Sequence, residues 1–244
     1  MVDILEVEIL DNNEVVDSDI NFTGEYISIV NYNNEVVDAL IQNTLTSLVN
    51  DRVKTVNQYM CYKNTNLVEV DLPNVESIGN RAFSECNGLV NINLPKCTSI
   101  GSYGFQACKN LKTVITPKLK SLGGYTFQSC GNLEHIVFPK LETLGTADLY
   151  ACNKLHTVDL HICTSISNTA LPYCAKLTAL ILRSPTLCLL GSGGTPFGST
   201  PIDSGNGFIY VPAKLIEKYK SDAVWSKYAS KFRTIEDYPE ICEQ

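Results

Sequence analysis

The sequence is poor in histidine and in the spacings from which reactive centres are built. It holds three histidines, His135, His156 and His161, among 244 residues. Its cysteines include no Cys-x-x-Cys pair, the close spacing on which zinc sites draw. There is no defensible Ser/His/Asp order, Gly-rich phosphate loop or dinucleotide fingerprint, so neither nucleotide chemistry nor nucleophilic hydrolysis has an anchor. Basic charge is also scarce. Lys and Arg number 19 against 26 Asp and Glu, for a net charge of −7. A phosphate-tracking surface needs a basic stripe, and the longest basic cluster, Lys214–Lys231, is interrupted by Glu217 and Asp222. Nucleic acid is therefore not an expected partner. No apolar run approaches the roughly 18 residues of a membrane span, so membrane insertion is not expected either. The opening Met-Val-Asp-Ile-Leu-Glu-Val-Glu has no basic n-region and no apolar run of signal-peptide length. The expectation is synthesis in the cytoplasm with the cysteines as thiols, unless a leader has been removed.

What is present is a folded composition, 44% apolar and 18% charged, and a strict period. Cys86, Cys108, Cys130, Cys152 and Cys174 recur every 22 residues without slip. A fixed period in the range of about 20–50 residues marks stacked supersecondary units. The first half of the unit reads Leu67-Val-Glu-Val-Asp-Leu-Pro73, then Leu89-Val-Asn-Ile-Asn-Leu-Pro95, with further copies from Leu111, Leu133, Leu155 and Leu177 and a degenerate one from Leu45. In each, the first Leu and the fourth and sixth positions face inward, and the third and fifth take the opposite face. The second half reads Ser77-Ile-Gly-Asn-Arg-Ala-Phe-Ser-Glu-Cys86 and its copies. Gly79, Gly101, Gly123 and Gly145 suggest a turn that a Cβ would hinder. A short 3₁₀ or single α-turn then delivers Phe83, Phe105 and Phe127 inward.

Outside the array, residues 1–44 form strand-like runs and turns. They are expected to make a β-rich cap over the first repeat or an attachment element. The array occupies 45–207. Its Gly-, Ser- and Pro-rich stretch 189–207 departs from the register and reads as a mobile loop, an insertion or a broken last repeat. In 208–244, Phe208–Pro212 reads as a closing strand. Ala213–Lys220 and Trp225–Phe232 read as helices, the second with Trp225, Tyr228, Ala229 and Phe232 on one face.

Five equivalent cysteines argue for packing rather than catalysis, since a nucleophile is singled out once. Cys86, Cys108, Cys130, Cys152 and Cys174 are expected to form a buried structural ladder of small hydrophobes. Cys97 and Cys163 share a second column with Val75, Leu119 and Leu141. His156, His161 and Asp159 do not make a site on this reading, because His156 and Asp159 have opposite strand parity. No catalytic residue, metal or cofactor is expected. Partner contacts then fall on the exposed strand columns. Glu69, Asn91, Thr113, His135, Thr157 and Ala179 form one row. Asp71, Asn93, Ile115, Val137, Asp159 and Ile181 form the next, with a small apolar patch at Ile115 and Val137. Tyr103 and Tyr125, one repeat apart near Arg81, are a second candidate surface for sugars or proteins.

The pattern Leu-x-x-[Val/Ile]-x-Leu-Pro followed by Ser-Ile-Gly-x-x-Ala-Phe-x-x-Cys, running from about Leu45 to Phe197, resembles the BspA-like (Treponema pallidum type) leucine-rich repeats. The resemblance implies an α/β-type repeat solenoid. A parallel β-sheet lies on one face, short 3₁₀ or turn elements lie on the other, and a helical cap closes the C-terminal end. It also implies non-enzymatic binding or adhesion to a protein or cell-surface glycan. Many relatives carry export signals and this sequence shows none. A second expectation is therefore a phage virion protein, such as a tail fibre, receptor-binding or head-decoration protein, anchored through residues 1–44 and contacting other virion proteins.

Overall fold

The computed structural model describes residues 28–30, 35–39 and 46–242. Of the expected N-terminal element, two strands fall among them. Ser28–Val30 pairs antiparallel with Glu35–Ala39, which pairs in parallel with Thr55–Val56. The rest of residues 1–44 lies outside the described residues, and with it the reading of that element as a cap or an attachment.

Each 22-residue unit supplies two strands. The front strands are Ser47–Val49, Glu69–Asp71, Asn91–Asn93 and Thr113–Ile115, then His135–Phe138, Thr157–Leu160 and Ala179–Leu182. Neighbours pair in parallel at offset 22, as in Glu69↔Asn91 and His135↔Thr157. The Leu column faces inward as the alternation requires. Leu67, Leu89, Leu111, Leu133, Leu155 and Leu177 are all fully buried, each contributing about 1.5–3 kcal/mol of transfer free energy. The fourth position of the unit lies beside them in the core at Val70, Ile92, Ile136 and Val158.

The second half of the unit is more regular than the expected 3₁₀ turn. Its Ser-Ile pairs form short back strands, Ser77–Ile78, Ser99–Ile100 and Ser121–Leu122, stacked in parallel. After each comes a run of hydrogen-bonded turns in which alternate amides leave the unit. Ala82, Ser84 and Cys86 donate to carbonyls three residues back, whereas Arg81, Phe83 and Glu85 donate to Ser102, Gly104 and Gln106 of the next unit. This alternation requires left-handed backbone at non-glycine residues. Arg81, Tyr103 and Tyr125 have φ of 54°, 60° and 57°, and Glu85, Ala107 and Ser129 have 63°, 56° and 62°. The recurrent glycines mark turns that a Cβ would hinder, as expected, and do so through close approach. Gly79, Gly101 and Gly123 do not have positive φ. They let the preceding unit's backbone approach so closely that a Cβ on Gly101 would lie 2.7 Å from the Asn80 nitrogen. The Phe column faces inward, with Phe83, Phe105 and Phe127 stacked at 5.0 and 5.6 Å between ring centroids.

Both sheets are interrupted at one junction. Thr113–Ile115 and His135–Phe138 belong to different front sheets, and Ser121–Leu122 and Thr143–Leu144 to different back sheets. The turn amides bridge the gap, Tyr125, Phe127 and Ser129 donating to Thr146, Asp148 and Tyr150. The sequence departs from its repeat here. Thr116 stands where Leu72, Leu94 and Leu160 stand in other units, and its buried hydroxyl has no partner among the described residues.

The C-terminal region differs from the sequence reading in three ways. The stretch 189–207 is largely built into the fold. Leu189–Leu190 extends the back sheet from Ser165–Ile166 at offset 24, helix Pro201–Ser204 is capped by Thr200, and Phe197 and Ile202 are buried. Phe208–Val211 pairs with Ala179–Leu182 but does not close the sheet, because Phe232–Thr234 adds in parallel beyond it. Helix Ile216–Ser221 forms as expected, but Trp225–Lys231 is a 3₁₀ segment kinked at Tyr228, and Phe232 is already strand. A one-face helical stripe cannot form across that kink. Burial instead comes from an aromatic cluster: Trp225 and Tyr219 are fully buried, and the Trp225 indole N–H donates to the Cys188 carbonyl at 2.6 Å.

Candidate partner-binding face

The cysteine ladder is buried throughout, Cys86, Cys108, Cys130, Cys152 and Cys174 each having no exposed area. These residues are not merely small hydrophobes. Each thiol donates to a main-chain carbonyl 25 residues earlier: Cys108 to Phe83, Cys130 to Phe105 and Cys152 to Phe127, at 3.1–3.2 Å. Burial pushes the Cys61 and Cys130 thiols up to about 12 and the Cys86, Cys108 and Cys152 thiols well above their usual range. A thiol held protonated is a poor nucleophile and a poor metal ligand.

The outward rows of the front sheet present the expected side chains, but only along part of their length. In the first row, Glu69, Asn91, Thr113 and His135 are exposed, Thr157 is half-buried and Ala179 is buried. In the second, Asp71 and Asn93 are half-buried and joined by a hydrogen bond from the Asn93 amide to Asp71 Oδ1 at 2.8 Å. Ile115 and Val137 follow, 48% and 41% exposed. Asp159 does not belong with them. It is 6% exposed and held by Arg183, whose Nε and Nη2 donate to the carboxylate at 2.8 and 2.7 Å, with His161 Nε2 at 3.6 Å. His156, of opposite parity to Asp159, stacks on His135 with ring centroids 6.0 Å apart, whereas His161, which shares Asp159's parity, is the histidine beside it.

The face closes because the chain returns over it. Ile235, Tyr238 and Ile241 pack on Ala179, Ile181 and Tyr210 in a second apolar cluster, with the Tyr210 and Tyr238 rings edge to face at 5.7 Å. Alternation alone places Ile181 outside. It cannot foresee a covering segment more than fifty residues later in the chain. A signal for the Asp159 cluster was nonetheless present. The repeat's proline, Pro73, Pro95, Pro117 and Pro139, is replaced by His161 and Arg183, the two residues that hold Asp159.

Tyr103 and Tyr125 form a stack, with centroids 4.8 Å apart and planes inclined by 13°. Arg81 caps it, its guanidinium 4.0 Å from the Tyr103 ring centroid. Both tyrosines are half-buried and engage each other on the turn face, so they are separate from the rows of the front sheet. Among the described residues no cluster of three His, Cys, Asp or Glu side chains is placed to hold a metal, and no helix is long and apolar enough to cross a membrane.

The sequence profile described as the BspA type leucine rich repeat region matches residues 54–178 in six copies. A leucine-rich-repeat protein of T. pallidum superposes with a TM-score of 0.58 at 25% identity, covering 64% of this chain and 77% of that one. A leucine-rich-repeat protein from Bacteroides ovatus gives 0.54 at 20% identity, covering 78% of this chain and 54% of that one. The pneumococcal vaccine antigen PcpA gives 0.54 at 16%, covering 88% and 46%. The chain thus spans about half the length of the last two. Comparison with curated proteins gave no match.

Proposed function

Since the chain belongs to the BspA-type leucine-rich-repeat family, we propose that it is a non-enzymatic binding protein that presents the uncovered part of its front sheet to a cell-surface protein or glycan. The observation that carries this reading is the pair Ile115 and Val137, exposed on consecutive strands and flanked by the polar Asn93, Thr113 and His135. Exposed apolar side chains rimmed by polar ones favour association over simple solvation. Repetition sets the flanking groups in rows, Asn93 on the strand paired with that of Ile115 and His135 on the strand of Val137 beyond the break between the two front sheets, an arrangement suited to an extended surface and not to a single reacting atom. The buried thiol column and the Arg183-bound Asp159 leave the most conspicuous chemical groups engaged in structure.

The test is binding of the fluorescently labelled chain to cultured epithelial cells and to immobilised mucin, compared with the double variant Ile115→Asp/Val137→Asp. Both positions are solvent-facing, so the variant should keep its circular dichroism and melting transition. The expected result is loss of saturable binding to at least one of the two surfaces. Binding that persists undiminished in the folded variant would exclude this face.

A further inference from the structure

A cavity of about 450 Å³ opens on the front sheet where the free rows meet the C-terminal tail. Small-molecule sites fall in the range of about 300–1,000 Å³. The His135 and His156 rings line it and stack with centroids 6.0 Å apart, inclined by 25°. Phe208 lines it as a half-buried aromatic ring, held in place by the Arg233 guanidinium 4.1 Å from its centroid. Ile241 of the covering tail contributes an apolar wall, and Glu134 and Asn206 are exposed polar groups of its lining. Because His135 also belongs to the free first row, the cavity is continuous with the face assigned to partner binding.

The composition of this lining selects among ligands. It contains one carboxylate and no lysine or arginine, so phosphate, sulfate or a sialic acid would find no fixed cation in the lining and a like charge at Glu134. An entirely apolar ligand would desolvate the Glu134 carboxylate and the Asn206 amide without replacing their hydrogen bonds. Hydroxyl groups suit it, because each can donate to the carboxylate or accept from the amide, while Thr157 and Thr178 can do either. The half-buried Phe208 ring, covered on one face by Arg233, and Ile241 supply apolar surface for the C–H side of a sugar ring. We propose that the cavity binds a neutral sugar residue, a hexose or N-acetylhexosamine. The inference rests on the reading of the front sheet as a partner-binding face, and it names what that face recognises at its C-terminal end.

The experiment is a titration of the intact ¹⁵N-labelled chain with the methyl glycosides of galactose, mannose, glucose and N-acetylglucosamine. N-acetylneuraminic acid serves as the anionic comparator. At least one neutral glycoside should shift the amide resonances of Glu134, His135, His156 and Asn206 saturably, with a dissociation constant in the millimolar range. N-acetylneuraminic acid should bind about tenfold more weakly or worse. The double variant Glu134→Ala/Asn206→Ala, altered only at exposed positions, should lose about tenfold or more in affinity for that glycoside with its fold intact. Absence of saturable shifts with every neutral glycoside, equal binding of N-acetylneuraminic acid, or unchanged affinity in the double variant would each overturn the assignment. If cell or mucin binding is lost in Ile115→Asp/Val137→Asp while the glycosides leave these amides unmoved, the sugar site fails and the binding face stands.

Discussion

The Cys108 thiol donates a hydrogen bond to the Phe83 carbonyl oxygen at 3.1 Å, across one repeat and three residues of chain. That same oxygen accepts the Cys86 amide within its own turn. Each ladder cysteine therefore ties its turn to the previous one while filling a site with no exposed area. The column acts as a strut between repeats and not only as filler.

This arrangement predicts slow thiol chemistry. Nine cysteines are buried among the described residues. Burial pushes Cys61, Cys97 and Cys130 up to about 12, so these hold little thiolate near pH 8. The Cys163 thiol, lowered by its hydrogen bond with Cys188, is protected by its lack of exposure. In a Cys242→Ser background, labelling of the native chain with a disulfide reagent should be far slower than labelling in denaturant. Its rate should follow the opening of the solenoid. Rapid stoichiometric labelling of several thiols without denaturant would contradict the ladder.

The repeat made much of this architecture legible. A strict 22-residue spacing and period-two alternation are local, so they fix which side chains face inward at Leu67, Leu89 or Leu133 without knowledge of the rest of the chain. Three features escaped because they depend on contacts between distant residues. The covering of Ile181 and Tyr210 by Ile235, Tyr238 and Ile241 is one. The capture of Asp159 by Arg183 is another, although the loss of the repeat's proline at that position marked it. The third is the neighbour that excludes a Cβ at Gly101: the hindered turn was legible, but that Asn80 of the preceding repeat closes on it was not. The rim of the candidate sugar site draws on Asn206, Phe208 and Ile241 outside the regular array, where periodicity gives no guidance.

Two opposite substitutions should separate the roles of glycine and left-handed backbone. A Cβ on Gly101 would fall 2.7 Å from the Asn80 nitrogen and 2.9 Å from the Gly79 carbonyl carbon. Gly101→Ala should therefore destabilise the chain by about 1–3 kcal/mol, as overpacking does elsewhere. Ala107 holds φ of 56°, a conformation that costs an L-residue about 1–2 kcal/mol and a glycine nothing comparable. After the greater entropy loss of glycine is deducted, Ala107→Gly should be stabilising by about 0.5–1 kcal/mol. Urea unfolding midpoints measure both. A higher midpoint for Gly101→Ala, or a lower one for Ala107→Gly, would reverse the assignment.

The interrupted junction should be open to repair. Thr116 buries a hydroxyl without a partner in a column otherwise held by Leu72, Leu94, Phe138 and Leu160. Replacing it with the near-isosteric valine removes an unsatisfied donor, whose desolvation costs about 1–3 kcal/mol. Thr116→Val is expected to raise stability in thermal and urea unfolding. A destabilised variant would mean that the hydroxyl is hydrogen-bonded in solution.

Asp148 gives the junction a pH dependence with a definite sign. Its carboxylate is buried in a column of small side chains that includes Ala82 and Ala170, accepting from the Thr126 amide at 3.2 Å and the Gly145 amide at 2.7 Å. Burial raises its pKa above the ordinary 3.8, and the amide hydrogen bonds offset only part of that. A carboxyl with a folded pKa above its unfolded value binds its proton more tightly in the folded chain. Its stabilising contribution is therefore full below about 3.8, the unfolded value, and is lost as pH rises through the folded one. Acidification protonates the chain's other carboxylates as well, so the group must be isolated by difference. The unfolding free energy of the native chain minus that of Asp148→Asn should increase as pH falls through this window and level off below it. A difference that is flat, or that decreases with acidification, would place the Asp148 carboxylate in a solvated or charge-compensated site, and the column would then not be dry at this repeat.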